Sequence, residues 1–123
     1  MTEYLGADVL DAVRDAAIDT FGADPQLRAL LFENVLPRYV ATLPRLAAPG
    51  MQITSDLMSI NRVERLVDGS VPLQIWLHNA QRLALEAGAR QTFQTALDIV
   101  ATTASGEPPL GAAGEVDVAE AVV

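Results

Sequence analysis

The chain has 123 residues, half of them apolar and 20% charged, which is enough for one domain with a real core. Sixteen acids stand against eight basic residues, all of them arginine, for a formal charge of −8 at pH 7. With no cysteine, no lysine and a single histidine, the sequence excludes disulfides, thiolate nucleophiles, Schiff-base or phosphate-loop lysines and multi-histidine metal sites.

The charge is unevenly placed. Residues 1–30 carry six acids and two arginines, residues 31–90 five acids and six arginines, and residues 91–123 five acids and no base. An arginine-bearing centre therefore lies between two acidic ends. Such a chain repels phosphate backbones and anionic lipids, so neither nucleic acid nor membrane is expected as a partner. The opening Met1-Thr-Glu-Tyr-Leu-Gly-Ala-Asp8 has no basic n-region or apolar run, and no stretch nears the roughly 20 apolar residues of a membrane span. A cytoplasmic location is expected.

The first predicted helix runs from about Thr2 or Gly6 to Phe21. Leu5, Val9, Leu10, Val13, Ala17 and Phe21 form one apolar stripe at helical spacing. Asp8, Asp11, Asp15 and Asp19 recur on the roughly opposite face, where like charges repel by a few tenths of a kcal/mol per pair. The plain reading is a solvated face, and the functional one is a docking stripe for an arginine-bearing partner. Asp24-Pro25 predicts the start of a second helix, with Leu27, Leu30, Leu31 and Val35 inward and Pro37 ending or kinking it. Tyr39, Val40 and Leu43 predict a short third turn closed by Pro44, and Ala47-Ala-Pro-Gly50 a loop.

Ser55-Asp56 reads as the cap of a short fourth helix with Leu57 and Ile60 inward, ended by Asp68-Gly69 whether or not it continues to Leu66. Ser70-Val71-Pro72 starts the longest stripe, Leu73, Trp76, Leu77, Ala80, Leu83, Ala84 and Ala87, with Gly88 as its C′ residue. A sixth helix from about Ala89 to Thr102 presents Phe93, Ala96, Leu97 and Val100. From Ser105 the breakers of Gly106-Glu-Pro-Pro-Leu-Gly-Ala-Ala-Gly114 predict a flexible acidic tail. The expected organisation is a helical domain over 1–104 and a tail or linker over 105–123.

Little in this pattern carries chemistry. His78 is the one candidate proton shuttle, but its helical neighbours Gln74, Ile75, Gln81 and Arg82 include no carboxylate to orient the ring. The paired acids Asp11 and Asp15 have no apolar wall to raise a pKa. No nucleophile elbow, zinc-protease, dinucleotide or calcium-loop motif occurs. No enzyme, cofactor or metal is expected. Trp76, within the apolar stripe, reads as a core anchor rather than a binding hot spot. Arg62, Arg65, Arg82 and Arg90 flank the Asp-Gly turn and the long helix, and complement the acidic first helix.

The segment from Asn61 to Ala80 resembles the bacterial effector-associated domains, small death-like helical modules of conflict and signalling systems. The likeness rests on Ile60-Asn61, the Asp68-Gly69 turn, Val71-Pro72, Trp76-Leu77-x-Asn79-Ala80 and the later Phe93-x-x-Ala96-Leu97. It covers about residues 53–100. The resemblance implies an all-α, death-like bundle of about five to six helices and no catalytic residues. It implies an adaptor that pairs with a similar helical module on another protein, or with itself, to recruit effectors in bacterial defence. Such modules usually form one end of a longer polypeptide, whereas this chain stops after its tail, either as a free-standing adaptor or as a piece of something larger. On the charge pattern, Asp8, Asp11, Asp15, Asp19, Arg62, Arg65, Arg82 and Arg90 are the candidate interface. Two other readings stand beside it: an acidic cytoplasmic chaperone or inhibitory partner of a basic client, and a small enzyme or ligand-binding bundle with a pocket at His78 and Trp76.

Overall fold

The computed structural model describes residues 3–22 and 26–104. These residues form six helices and no strand: α1 (Ala7–Phe21), α2 (Leu27–Leu31), α3 (Pro37–Val40), α4 (Pro49–Ile60), α5 (Pro72–Leu83) and α6 (Ala87–Ala104). The fold is all-α, as the periodicity predicts. Asp24-Pro25 and the expected tail from Ser105 lie outside the described residues.

Helix α1 buries Val13, Ala17 and Phe21 and starts at Gly6 without a side-chain cap. It packs on α4 and α6, while α5 packs on α6, α2 and α4. The centre of the core is aromatic. Trp76, 1% exposed, meets Phe93 edge-on at 6.2 Å, and Phe93 stacks on Phe21 at 5.9 Å. Leu73, Leu77, Ala80, Ala96 and Val100 fill in around them, with Leu97 only partly buried against this cluster.

Several boundaries differ from the sequence expectation, each for a physical reason. Pro37 does not end a helix but opens α3, and Pro49 and Gly50 are not loop but the first residues of α4. The first helical position has no intrahelical partner for its N–H, so a proline there loses nothing. Ser55 and Asp56 consequently lie inside α4 instead of capping it, and α4 stops at Ile60 without reaching Leu66. Leu30 points outward at 43% exposure, while Leu31 and Val35 are buried.

Gly88 does not cap α5. That helix ends at Leu83, Ala84 turns extended, and Gly88 falls in the first turn of α6. Arg90 braces the connection that follows, donating to the carbonyls of Ala84 at 3.2 Å and Leu85 at 3.0 Å. The Asp68-Gly69 turn forms, but it ends no helix, because α4 has already stopped at Ile60 with Asn61 fastened to Leu5. Gly69 takes φ +86°, which a side chain resists, and the Asp68 carboxylate accepts from Ser70 N at 3.0 Å and Ser70 Oγ at 2.6 Å. Those two bonds hold the Asp68 carboxyl below its usual range.

Candidate interaction surface

Three buried polar groups join segments far apart in sequence. Asn61, 1% exposed, accepts from Leu5 N at 2.8 Å and donates to Leu5 O at 3.0 Å, fastening the residues before α1 to the end of α4. Nearby, the Tyr4 hydroxyl donates to Glu64 O at 2.6 Å. Asn79, on α5, donates to Leu31 O at 2.9 Å and Glu33 O at 2.8 Å, closing the end of α2. Arg28 reaches Asp56 through two bonds, 2.7 Å from Nε and 3.0 Å from Nη2, and lies over the Phe32 ring at 5.1 Å. Gln52 donates to both Asp56 and Pro44 O and accepts from Leu46 N, so this cluster ties α2, α4 and the 44–46 strip together.

All four α1 acids, Asp8, Asp11, Asp15 and Asp19, are exposed along that helix. Arg14 stands within the stripe, 3.4 Å from Asp11 and 3.1 Å from Asp15. Asp8 and Asp19 have no ion pair among the described residues. The candidate arginines do not form one patch. Arg62 and Arg65 precede α5, Arg82 is its last residue but one and Arg90 follows it, so nearly the whole helix separates the two pairs, about 15 Å of rise from Pro72 to Arg82. Each is engaged with its own chain. Arg62 pairs with Glu3 at 3.4 Å, Arg82 faces Glu33 at 3.6 Å, Arg65 donates to Gly69 O at 3.0 Å, and Arg90 binds carbonyls of the loop after α5.

His78 is exposed on a shallow hollow of ≈ 480 Å³ whose other lining includes Asn34, Gln94 and Asp98. Asp98, on α6, is a carboxylate the helical spacing around His78 could not reveal. It accepts from Gln94 at 2.8 Å, and among the described residues no hydrogen bond joins it to His78. Trp76 is in the core, not on this hollow. Among the described residues no three His, Cys, Asp or Glu side chains group as metal ligands.

A larger feature lies between α1 and α4. The two helices run antiparallel: Asn61 at the end of α4 binds Leu5, and Gly50 at its start sits beside Ile18, whose Cδ1 a Cβ at that position would meet at 3.9 Å. The open groove along them has ≈ 770 Å³ and carries Ile18, Leu46, Met51 and Met58 around the small residues Ala48, Gly50 and Ser55. Met51 is 63% and Met58 46% exposed. Asp11 and Asp15 lie two turns and one turn before Ile18 on the same side of α1, outside the groove's lining, in which Arg62 is the one charged residue.

The sequence pattern of effector-associated domain 5 matches residues 4–123, nearly the whole chain. The chain belongs to the effector-associated domain 5 family. That match also spans the stretch from residue 105 onward, which the breaker residues set apart. No curated protein and no solved structure matches the chain. In this effector-associated domain the residues that carry the family likeness are builders of the fold. Ile60, Trp76, Leu77, Ala80, Phe93 and Ala96 are core, Asn61 and Asn79 are the clamps above, and Gly69 and Pro72 shape the start of α5. Among the described residues, no helix is long and apolar enough to cross a membrane.

Proposed function

We propose that this effector-associated domain is a non-enzymatic adaptor of the bacterial cytoplasm, pairing with a similar helical module to bring an effector to its signal in a defence pathway. The acidic face of α1 receives an arginine-bearing face of the partner. The observation that carries this reading is the exposed row Asp8, Asp11, Asp15 and Asp19, in which only Arg14 offsets four carboxylates among the described residues. Like charges so spaced lower helix stability slightly, and an incoming cation relieves that repulsion. Self-pairing is the weaker form of this reading, because the chain's net charge is −8 and Arg62, Arg65, Arg82 and Arg90 already serve their own fold. The test is charge reversal, D11R/D15R. The doubly reversed chain loses salt-sensitive binding to its partner module while its helical circular dichroism is unchanged. Unaltered binding, or loss of the fold, contradicts the reading.

A further inference from the structure

The groove between α1 and α4 combines two properties that ordinary solvated helix faces lack. Its exposed apolar side chains, Met51 and Met58 above all, are long and unbranched, and Ile18, its lining residue from α1, follows the exposed acids Asp15 and Asp11 by one and two turns. Flexible methionines mould themselves to varied apolar partners. Small residues at Ala48, Gly50, Ser55 and Ser59 leave room for close approach along α4. Ile18 and the lining from Gly50 to Ser59 belong to helices whose backbone groups bond within themselves, with Leu46 and Ala48 before α4, so an extended strand would find no ladder along the helical part; a docked helix brings its own. From Met51 to Ser59 the lining follows a little over two turns of α4, with Arg62 just past its end, a length that suits a short amphipathic helix.

Charge chooses the helix. Asp8 and Asp19 lack an ion pair among the described residues, Asp11 and Asp15 share one arginine, and Arg62 at the far end of the groove is held by Glu3. We infer that the α1–α4 groove is a docking site for a cationic amphipathic helix of a partner protein, its apolar face on Met51, Met58 and Ile18 and its arginines or lysines against Asp11 and Asp15. The inference rests on the adaptor reading and specifies the partner surface that this reading leaves open.

The probe is a synthetic, amidated amphipathic peptide of alanine, leucine and arginine, long enough for about four turns. It is compared with the same peptide carrying glutamate for arginine, and with a scrambled order that destroys the apolar face. Binding to the full chain is read by NMR of ¹³C-labelled methionine methyls. The expected result is movement of the Met51 and Met58 signals with the cationic amphipathic peptide alone. The affinity should fall by roughly tenfold or more in high salt or in D11R/D15R, and in M58E. Equal binding of the glutamate or scrambled peptide, binding that leaves both methyls unmoved, or no binding overturns the inference. Binding of another effector-associated domain that leaves these methyls still would overturn the groove assignment and leave the adaptor reading intact. Loss of all partner binding would sink both.

Discussion

Replacing Arg28 by methionine isolates the Asp56 carboxylate, whose side chain is 3% exposed. The variant keeps most of the side-chain volume over Phe32 and leaves Asp56 with only Gln52 as a donor among the described residues. Removing one partner of a buried pair typically costs about 3–5 kcal/mol, because the remaining charge is stranded. Arg28→Met is therefore expected to cost about 3–4 kcal/mol. The reverse change, Asp56→Asn, should cost about 2 kcal/mol, since the Arg28 side chain is 17% exposed and can turn its head to water. The double variant R28M/D56L replaces the pair with apolar groups and should lie within about 1 kcal/mol of the parent. Urea unfolding followed by circular dichroism measures all three, and thermal melts should show Arg28→Met falling by more than about 12 °C. An Arg28→Met variant within 1 kcal/mol of the parent, or a double variant as weak as the two single changes added together, refutes the stranded-charge argument.

Asn61→Ala removes both bonds to Leu5 and should cost about 2–3 kcal/mol in the same assay; a loss below about 0.5 kcal/mol would deny Asn61 its clamping role. The chain's two tyrosines give a pH test. Burial pushes both phenols up, with the nearby Asp56 carboxylate adding to the effect at Tyr39 and Arg65 opposing it at Tyr4. Between the ordinary value of about 10 and the raised value, the native chain holds more protons than the unfolded one, so stability falls as pH rises through that window. Urea midpoints should therefore drop from pH 8 to pH 10.5, and less steeply in Y4F/Y39F; equal slopes would contradict this.

How much the sequence revealed depends on whether a signal is local. The stripes of α1, α5 and α6 are periodic, and Val13, Ala17, Phe21, Trp76, Phe93 and Val100 are buried where periodicity puts them. Breakers misled. A proline followed by glycine at 49–50 looks like a loop, but a helix start tolerates both, and only the residues packed behind α4 decide between them. Gly88 looks like a cap because a glycine after an apolar stripe is a common helix stop, whereas the chain already turns extended at Ala84, before any breaker. The Arg28–Asp56 pair spans 28 residues, beyond any helical spacing. Of the proposed interaction surface, the acidic stripe is legible in the sequence and the α1–α4 groove is not. Met51 and Met58 lie seven residues apart, which fits a helix face, yet nothing in the sequence says that this face is left uncovered beside Ile18.

The adaptor claim meets its most direct test in a mixing experiment. Purified effector-associated domains encoded in the same genome, this chain among them, are mixed with it one at a time and measured by light scattering after gel filtration, at low and high salt. The account predicts that one of them forms a complex at low salt that dissociates at high salt and fails to form with D11R/D15R. Failure of every such domain to bind, or a complex indifferent to both salt and charge reversal, would contradict it.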